Sequence, residues 1–190
     1  MEKNKSHTSQ KDVFRLLLAG GFFLIGAAAL IFFLPRAQEY VLANNDSVVP
    51  VRVNIPAPEL TLTELEGKTV SLNDYLGMTI LVNNWATWCP PCKAEMPTLE
   101  AYYKEHANQN FAIIAIESGE SASEVADFVQ SYELTFPIWL DTQGLALDTF
   151  QNWNLPSSYV IDMDGMIRLV WNGAISRKML ETYLTPLLEK

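Results

Sequence analysis

The first feature of the hydropathy pattern is an uninterrupted apolar segment near the amino terminus. Residues 16–34 read LLLAGGFFLIGAAALIFFL and contain no charged or strongly polar side chain. At about 1.5 Å per helical residue, a segment of this length nearly crosses a hydrocarbon layer of ~30 Å. The pattern therefore predicts one transmembrane helix at residues 16–34, preceded by a short tail at residues 1–15.

Charges on either side of the apolar segment predict its orientation. Basic side chains dominate before it and are sparse after it: Lys3, Lys5, Lys11 and Arg15 precede, and Arg36 and Arg52 follow. Because basic flanks remain in the cytoplasm, the tail is expected inside and the rest of the chain outside. We therefore expect a single-pass protein of the cell membrane with an extracytoplasmic domain that contacts the lipid bilayer only through residues 16–34.

Two other interpretations of the apolar segment are a cleaved signal peptide and a buried helix of a soluble domain. A cleaved signal peptide has an apolar core of only ~7–15 residues, although the "VLA" at residues 41–43 resembles a cleavage site. A buried helix of a soluble domain normally keeps one polar face, and this segment has none. An uncleaved anchor is favoured over both alternatives.

After the anchor, the pattern changes to a tether and then to a globular domain. Residues 35–55 show no helical periodicity and are predicted to be the tether, and residues 56–190 form the domain. Alternating apolar and polar residues in LTLTELEGKTVSL, around the turn signal Glu66-Gly67, predict a hairpin. Short apolar runs predict buried strands at residues 79–86, 111–118 and 136–141.

Helices are predicted between these strands. One follows the cysteines, from about residue 91 to residue 107, with Pro97 expected to kink it. A second has Ser121 or Ser123 as its cap and Glu124 in its first turn. GLALDTFQNW predicts a short helix, SSYVID and MIRLVWNG a hairpin, and the last fifteen residues an amphipathic helix. Alternation of strands and helices indicates an α/β fold, a mixed central sheet flanked by helices.

The charge of the domain argues against one class of partner. Residues 56–190 carry seven basic and eighteen acidic side chains. Such a surface repels phosphates, so no nucleic-acid binding is expected.

The chemistry of the chain is concentrated at its only two cysteines, Cys89 and Cys92, in NNWATWCPPCKAEMP. A structural zinc site needs four ligands, and the domain offers only one histidine, His106, besides these thiols. Copper is disfavoured because His106 lies far down the predicted helix and no methionine–histidine cluster accompanies the thiols. No metal and no cofactor are therefore expected.

Two other uses of the pair remain. A purely structural disulfide would close a very small loop and restrict the unfolded chain little. Redox exchange uses the spacing better, because Cys89 at a helix amino terminus would have a lowered thiol pKa. Its thiolate would attack a partner disulfide, and Cys92, one turn away, would resolve the mixed disulfide.

With its surroundings, the cysteine segment resembles a known family. WATWCPPC after an apolar strand resembles a thioredoxin-fold active site, and residues 56–175 resemble the membrane-anchored TlpA/ResA-like thiol-disulfide oxidoreductases. The resemblance is carried by the hairpin, by the WCxxC segment with its following proline, and by LPSSYVIDMDG. It implies a thioredoxin-like fold with an N-terminal β-hairpin extension.

The resemblance also implies roles for residues around the redox-active pair. Trp88 would pack beside the nucleophile, and Pro156 matches the cis-proline that guides a partner's backbone. Glu95 matches an active-site glutamate of members that act in cytochrome c maturation, where it would raise thiol pKa values and relay the proton from Cys92. The alternative for Glu95 is a solvated helix residue.

Two positions depart from the family pattern. Asn83 stands where cytoplasmic thioredoxins have a buried aspartate, and an amide cannot take a proton. Leu155, before the cis-proline, is bulkier than expected and would alter the choice of partner.

The resemblance implies a reductant of protein disulfides. Its clients would be proteins with disulfides or thiols, apocytochrome c among them, and a membrane electron donor would be needed to reduce it again. One alternative is a peroxiredoxin-type peroxidase, but Thr87 has no accompanying arginine between Arg52 and Arg168. The other is a binding module that keeps the fold without catalysis.

Overall fold

The computed structural model describes residues 48–189. The predicted tail, the predicted anchor and residues 35–47 of the predicted tether lie outside this range. Within it, none of the helices combines the length and the apolar character that crossing a bilayer requires.

A single mixed sheet of eight strands organises the domain. Its strands are β1 (Val51–Pro56), β2 (Thr61–Glu64), β3 (Thr69–Ser71), β4 (Thr79–Trp85), β5 (Phe111–Ser118), β6 (Ile138–Asp141), β7 (Ser157–Ile161) and β8 (Met166–Asn172). In space they are ordered β1-β8-β7-β4-β5-β6-β2-β3. The central strands β4, β5 and β6 are parallel, and the outer pairings are antiparallel. The predicted α/β fold with a mixed sheet is therefore confirmed.

Helices connect the parallel strands and close the chain. They are α1 (Pro90–His106), α2 (Ala122–Ser131) and α3 (Leu145–Thr149), with a 3-10 turn at Leu72–Tyr75. The C-terminal segment consists of α4 (Arg177–Met179), a π-helix (Leu180–Leu184) and α5 (Thr185–Leu188). Strand-to-helix connections of this kind align the carboxyl ends of β4 and β5 at one edge of the sheet.

The alternation of side chains along β4 divides the core between the two faces of the sheet. Leu81 and Trp85 belong to a cluster formed with α1, α2 and the C-terminal helices. Ile80 and Val82 belong to a second cluster on the opposite face, with the 3-10 turn and α3. All seven residues of β4 are buried, so Asn83, between Leu81 and Trp85, faces α1 in the protein interior.

The predicted hairpin is confirmed as β2 and β3, which pair antiparallel. Gly67 in its turn has a φ of +91°, a region that side-chain-bearing residues rarely adopt. The second predicted hairpin is confirmed as β7 and β8.

Two elements differ from the sequence-based expectation. Strand β1 occupies residues assigned to the tether up to residue 55, and it pairs antiparallel with β8. The C-terminal helix is not regular but widens to π geometry before Pro186. Proline lacks an N–H and crowds the carbonyl four residues earlier, so an ordinary α-helix is disfavoured there.

Candidate active site

The two cysteines lie where β4 gives way to α1. Cys89 is the N-cap residue of α1, and Cys92 lies in its first turn. Their sulfurs form a disulfide with an S–S distance of 2.05 Å. The backbone N–H of Cys92 also donates to Cys89 Sγ over 3.3 Å. The first sulfur therefore lies at the helix amino terminus, where free N–H groups and the helix dipole favour negative charge.

The residues between and beside the cysteines shape this helix start. Pro90 and Pro91 occupy its first positions, where the missing N–H of proline leaves no helical hydrogen bond unmade. Pro97 lies inside α1, as predicted. Trp88, directly before Cys89, is largely exposed, with 65% of its surface open to solvent.

Glu95 is buried beneath the cysteine turn. Only 2% of it is exposed, so its interpretation as a solvated helix residue is wrong. Its Oε1 accepts a hydrogen bond from Asn83 Nδ2 over 2.9 Å, and its Oε2 accepts one from the backbone N–H of Ile175 over 2.7 Å. Asn83 Nδ2 also donates to Ser158 Oγ over 2.8 Å. The carboxyl group is thus bonded to strand β4 and to the chain after β8, and Asn83 links it to strand β7.

Burial dominates the acid–base behaviour of Glu95. It raises the pKa of this carboxyl from 4.5 to about 7, and the hydrogen bonds from Ile175 and Asn83 oppose the rise only in part. A carboxyl with this pKa is a proton donor or acceptor near neutral pH.

The loop before β7 lies at the same end of the sheet as the cysteine turn. The Leu155–Pro156 peptide bond is cis. Ser157, the next residue, pairs with Asn84 near the carboxyl end of β4. Leu155 packs against the cluster that contains both cysteines.

A pair of acidic residues, Glu117 and Glu120, also lies near the carboxyl ends of β4 and β5, and the sequence did not predict it. Glu120 accepts hydrogen bonds from the backbone N–H of Thr87, over 2.8 Å, and from the Thr87 hydroxyl. Glu117, at the end of β5, is fully buried. An acidic residue closing the otherwise apolar run FAIIAIES was the available signal.

The structure brings together the cysteine pair, Glu95 and Asn83, and it places Pro156 and Leu155 at the same end of the sheet. His106 lies at the far end of α1, away from the cysteines, and bonds the Tyr102 carbonyl through Nδ1. Among residues 48–189, no group of three or more His, Cys, Asp or Glu side chains is arranged to hold a metal ion.

Comparison with known proteins agrees with this geometry. The model of the AhpC/TSA family matches residues 53–170. The thiol-disulfide oxidoreductase ResA of Bacillus thuringiensis is 37% identical over 128 residues, covering 67% of this chain and 74% of that protein. ResA of Bacillus subtilis is 32% identical over 170 residues, covering 90% and 92%.

A solved structure shows the same fold. The thiol:disulfide interchange protein of Chlorobium tepidum superposes with a TM-score of 0.65 at 25% identity, over 73% of this chain and 99% of that one. Together with the cysteine pair at the start of α1, these matches place the chain in the AhpC/TSA family, among the TlpA/ResA-like thiol-disulfide oxidoreductases.

Proposed function

We propose that this thiol-disulfide oxidoreductase reduces disulfides of other proteins outside the cytoplasm, with Cys89 as the attacking sulfur. The observation that carries the proposal is the hydrogen bond from the Cys92 N–H to Cys89 Sγ at the start of α1. The same donor and the helix dipole would stabilise a thiolate on Cys89 in the reduced protein.

The exchange proceeds in two displacements. The Cys89 thiolate attacks one sulfur of the client disulfide, an S–S bond forms between the proteins, and the client's other sulfur leaves as a thiolate. Cys92 then loses its proton and attacks Cys89 Sγ, which releases the second client sulfur. The client gains two electrons, and the protein is left with the Cys89–Cys92 disulfide.

Glu95 is proposed to accept the proton that Cys92 loses. Its carboxyl is buried, follows Cys92 by one helical turn, and has a pKa of about 7, which matches proton transfer near neutral pH. Asn83 and the Ile175 N–H hold the two oxygens, so the carboxyl does not reorient between the two displacements.

Client contacts are proposed at Trp88, Leu155 and Pro156. Trp88 offers a largely exposed aromatic surface directly before Cys89. Leu155 is half-buried and lies in the loop that approaches the cysteine turn. An extended client segment placed along this loop would bring its disulfide to Cys89.

Anchoring and location extend the proposal. The apolar residues 16–34 and their basic flank support a single-pass anchor that leaves the domain, after a tether, on the outer side. There the protein would need a membrane electron donor to reduce its disulfide again. Clients in cytochrome c maturation, such as apocytochrome c, are proposed on the resemblance to family members.

The test is reduction of a disulfide-bonded peptide carrying the two haem-site cysteines of an apocytochrome c. Full-length reduced protein in detergent is expected to convert it to the dithiol with equal loss of its own thiols. Cys89→Ser should abolish the reaction. Equal rates for the variant and the wild-type protein would overturn the role of Cys89, and a wild-type protein that leaves the peptide oxidised would be a binding module.

A labelling experiment tests the proposed location of the domain outside the cytoplasm. In intact cells, a membrane-impermeant maleimide should label the reduced Cys89 as fully as it does in disrupted cells. Labelling only after disruption would place the domain in the cytoplasm and contradict the proposed topology.

Peroxide reduction is the second candidate, because the AhpC/TSA match covers the cysteine segment. The structure gives it little support. The Thr87 hydroxyl is engaged by Glu120, and Arg168 pairs with Asp162 at the opposite end of β7 from Ser157. Consumption of hydrogen peroxide faster than peptide reduction would favour the peroxidase.

A further inference from the structure

Glu117 is a buried acid for which the exchange chemistry has assigned no role. It lies near the end of β5, between Trp85 of β4 and Leu140 of β6, and none of its surface is exposed. Its Oε2 accepts the backbone N–H of Glu120 over 3.2 Å. Its Oε1 finds no donor among the described residues. A carboxylate in this environment lacks the solvation that an anion needs.

A tight turn folds Glu120 back over Glu117. Gly119 lies between them with a φ of +101°, and its N–H donates to the Asp141 carbonyl over 3.1 Å. This conformation strains any residue with a side chain. As a result the two carboxyl groups come within hydrogen-bond reach of each other.

Glu120 in turn holds the chain that leads to the cysteines. Its two oxygens accept the backbone N–H and the hydroxyl of Thr87. Thr87 follows Ala86, whose carbonyl accepts the N–H of Cys89 over 3.2 Å. Two hydrogen-bonded steps therefore connect Glu117 to the turn that presents Cys89.

The ionisable groups around Glu117 favour a single proton on this pair. Burial is the main cause that raises the pKa of Glu117 to about 8, and the hydrogen bond with Glu120 adds to it. The negative charges of Glu120 and Asp141 act in the same direction. Burial opposes ionisation of Glu120, but the hydrogen bonds from Thr87, with a smaller contribution from Glu117, lower its pKa against the charge of Glu124. Among residues 48–189, none of the ion pairs supplies a cation to Glu117 or Glu120.

We propose that Glu117 is a positioning residue of the exchange site. Its neutral carboxyl donates a hydrogen bond to the Glu120 carboxylate, which keeps that carboxylate aligned on Thr87 and so orders the turn before Cys89. Loss of the Glu117 proton would set two carboxylates against each other and release Thr87. The kinetic consequence rests on the proposed attack by Cys89, whereas the link from Glu117 to Thr87 does not.

Nuclear magnetic resonance tests the link directly on the oxidised full-length protein in detergent. With glutamate labelled at its carboxyl carbon, Glu117 is expected to titrate at a pH of about 8, and the Thr87 amide should shift with the same midpoint. Glu117→Gln keeps an N–H donor toward Glu120, so the Thr87 amide should keep its neutral-pH position and lose the transition. Titration of Glu117 below pH 6, or a Thr87 amide that ignores it, would overturn the proposal.

Alkylation of the reduced protein by iodoacetamide tests the consequence for Cys89. Glu117→Leu removes the hydrogen-bond donor to Glu120 and should change the rate of Cys89 alkylation at neutral pH by about tenfold. The rate for Glu117→Gln should stay within about twofold of the wild-type rate. The control Asp127→Asn removes an exposed acid of α2 and should match the wild-type protein.

The outcomes separate the two proposals. Wild-type rates and pH profiles in both Glu117 variants would overturn the positioning role. If Glu117→Leu does not fold, the pH dependence of the Thr87 amide in the wild-type protein and in Glu117→Gln decides alone. The expected titration of Glu117 and the expected alkylation rates, found in a protein that reduces no disulfide peptide, would overturn the proposed function. The link from Glu117 to Thr87 would still hold.

Discussion

Asn83 Nδ2 lies 2.9 Å from Glu95 Oε1, and this hydrogen bond fixes a buried carboxyl of α1 to the central strand β4. The same amide nitrogen donates to Ser158 Oγ on β7, so both of its hydrogens are used. An aspartate at this position would place two acids against each other. Asparagine instead donates a hydrogen bond, so Glu95 is the ionisable member of this buried pair.

Removing this donor should weaken the fold and change the acidity of Glu95. Asn83→Leu is expected to lower the free energy of unfolding by about 1–3 kcal/mol, because Ser158 and Glu95 each lose a buried partner. The pKa of Glu95 should rise further, since the lost hydrogen bond favoured its charged form. Urea unfolding and the pH profile of peptide reduction measure the two effects.

Asn84 provides the matched control. It is also fully buried on β4 but faces the other side of the sheet, where its Nδ2 donates to Ser157 Oγ over 3.4 Å. Asn84→Leu should leave the pH profile of peptide reduction unchanged. A shifted profile in this variant, equal to that of Asn83→Leu, would show that the effect does not pass through Glu95.

Burial of Glu95 should make folding stability depend on pH. The folded pKa, about 7, lies above the ordinary value of 4.5, so the folded protein binds more protons than the unfolded chain between these values. Stability from this group is therefore full below pH 4.5 and is lost as the pH rises through 7. The loss amounts to about 3 kcal/mol.

Glu95→Gln isolates this contribution. The difference in unfolding free energy between the variant and the wild-type protein should shift by about 3 kcal/mol in favour of the variant between pH 4 and pH 8. The variant should also reduce disulfide peptides more slowly at the step that Cys92 carries out. A constant difference across this range would mean that Glu95 titrates normally.

The order of attack by the two sulfurs predicts an intermediate that can be trapped. Cys92→Ser leaves Cys89 able to attack but removes the resolving thiol, so a mixed disulfide with the client should accumulate. Mass spectrometry of the full-length variant after mixing with an oxidised peptide should find the peptide on Cys89. Cys89→Ser serves as the matched variant, and an adduct on Cys92 as abundant as that on Cys89 would contradict the assigned order of attack.

Helix α2 offers a test of local stability apart from the redox site. Ser121 is its N-cap and forms a capping box with Glu124, whereas the Ser123 hydroxyl caps no backbone N–H among residues 48–189 and pairs with the Ser121 hydroxyl. Ser121→Ala should cost about 1 kcal/mol of unfolding free energy. Ser123→Ala should change it by less than about 0.5 kcal/mol. Similar losses in both variants would contradict this capping assignment.

Local patterns predicted most of the sheet and the start of α1, because burial along β4 and β5 leaves long apolar runs in the sequence. Strand β1 was not predicted, since its side chains are mostly exposed and its pairing with β8 joins residues far apart in the chain. The irregular C-terminal helix was also missed, although Pro186 was visible.

In the candidate site, spacing identified the cysteine pair, and Glu95 was proposed from the family resemblance alone. The burial of Glu95 follows from contacts with Asn83 and Ile175, which are distant in the sequence. The role of Glu117 depends on the turn at Gly119 and on neighbours from two other strands. No periodicity encodes such contacts, so they became visible only in the folded chain.

The most direct test of the account is the reduction potential of the Cys89–Cys92 pair, measured by equilibrating the full-length protein with a dithiol buffer of known potential. A buried carboxyl one helical turn after Cys92 limits how far the thiolates of the pair are stabilised, so the pair should be a reductant. We expect a value more negative than about −220 mV. A value near −120 mV, at about the level of a dedicated oxidant, would contradict it.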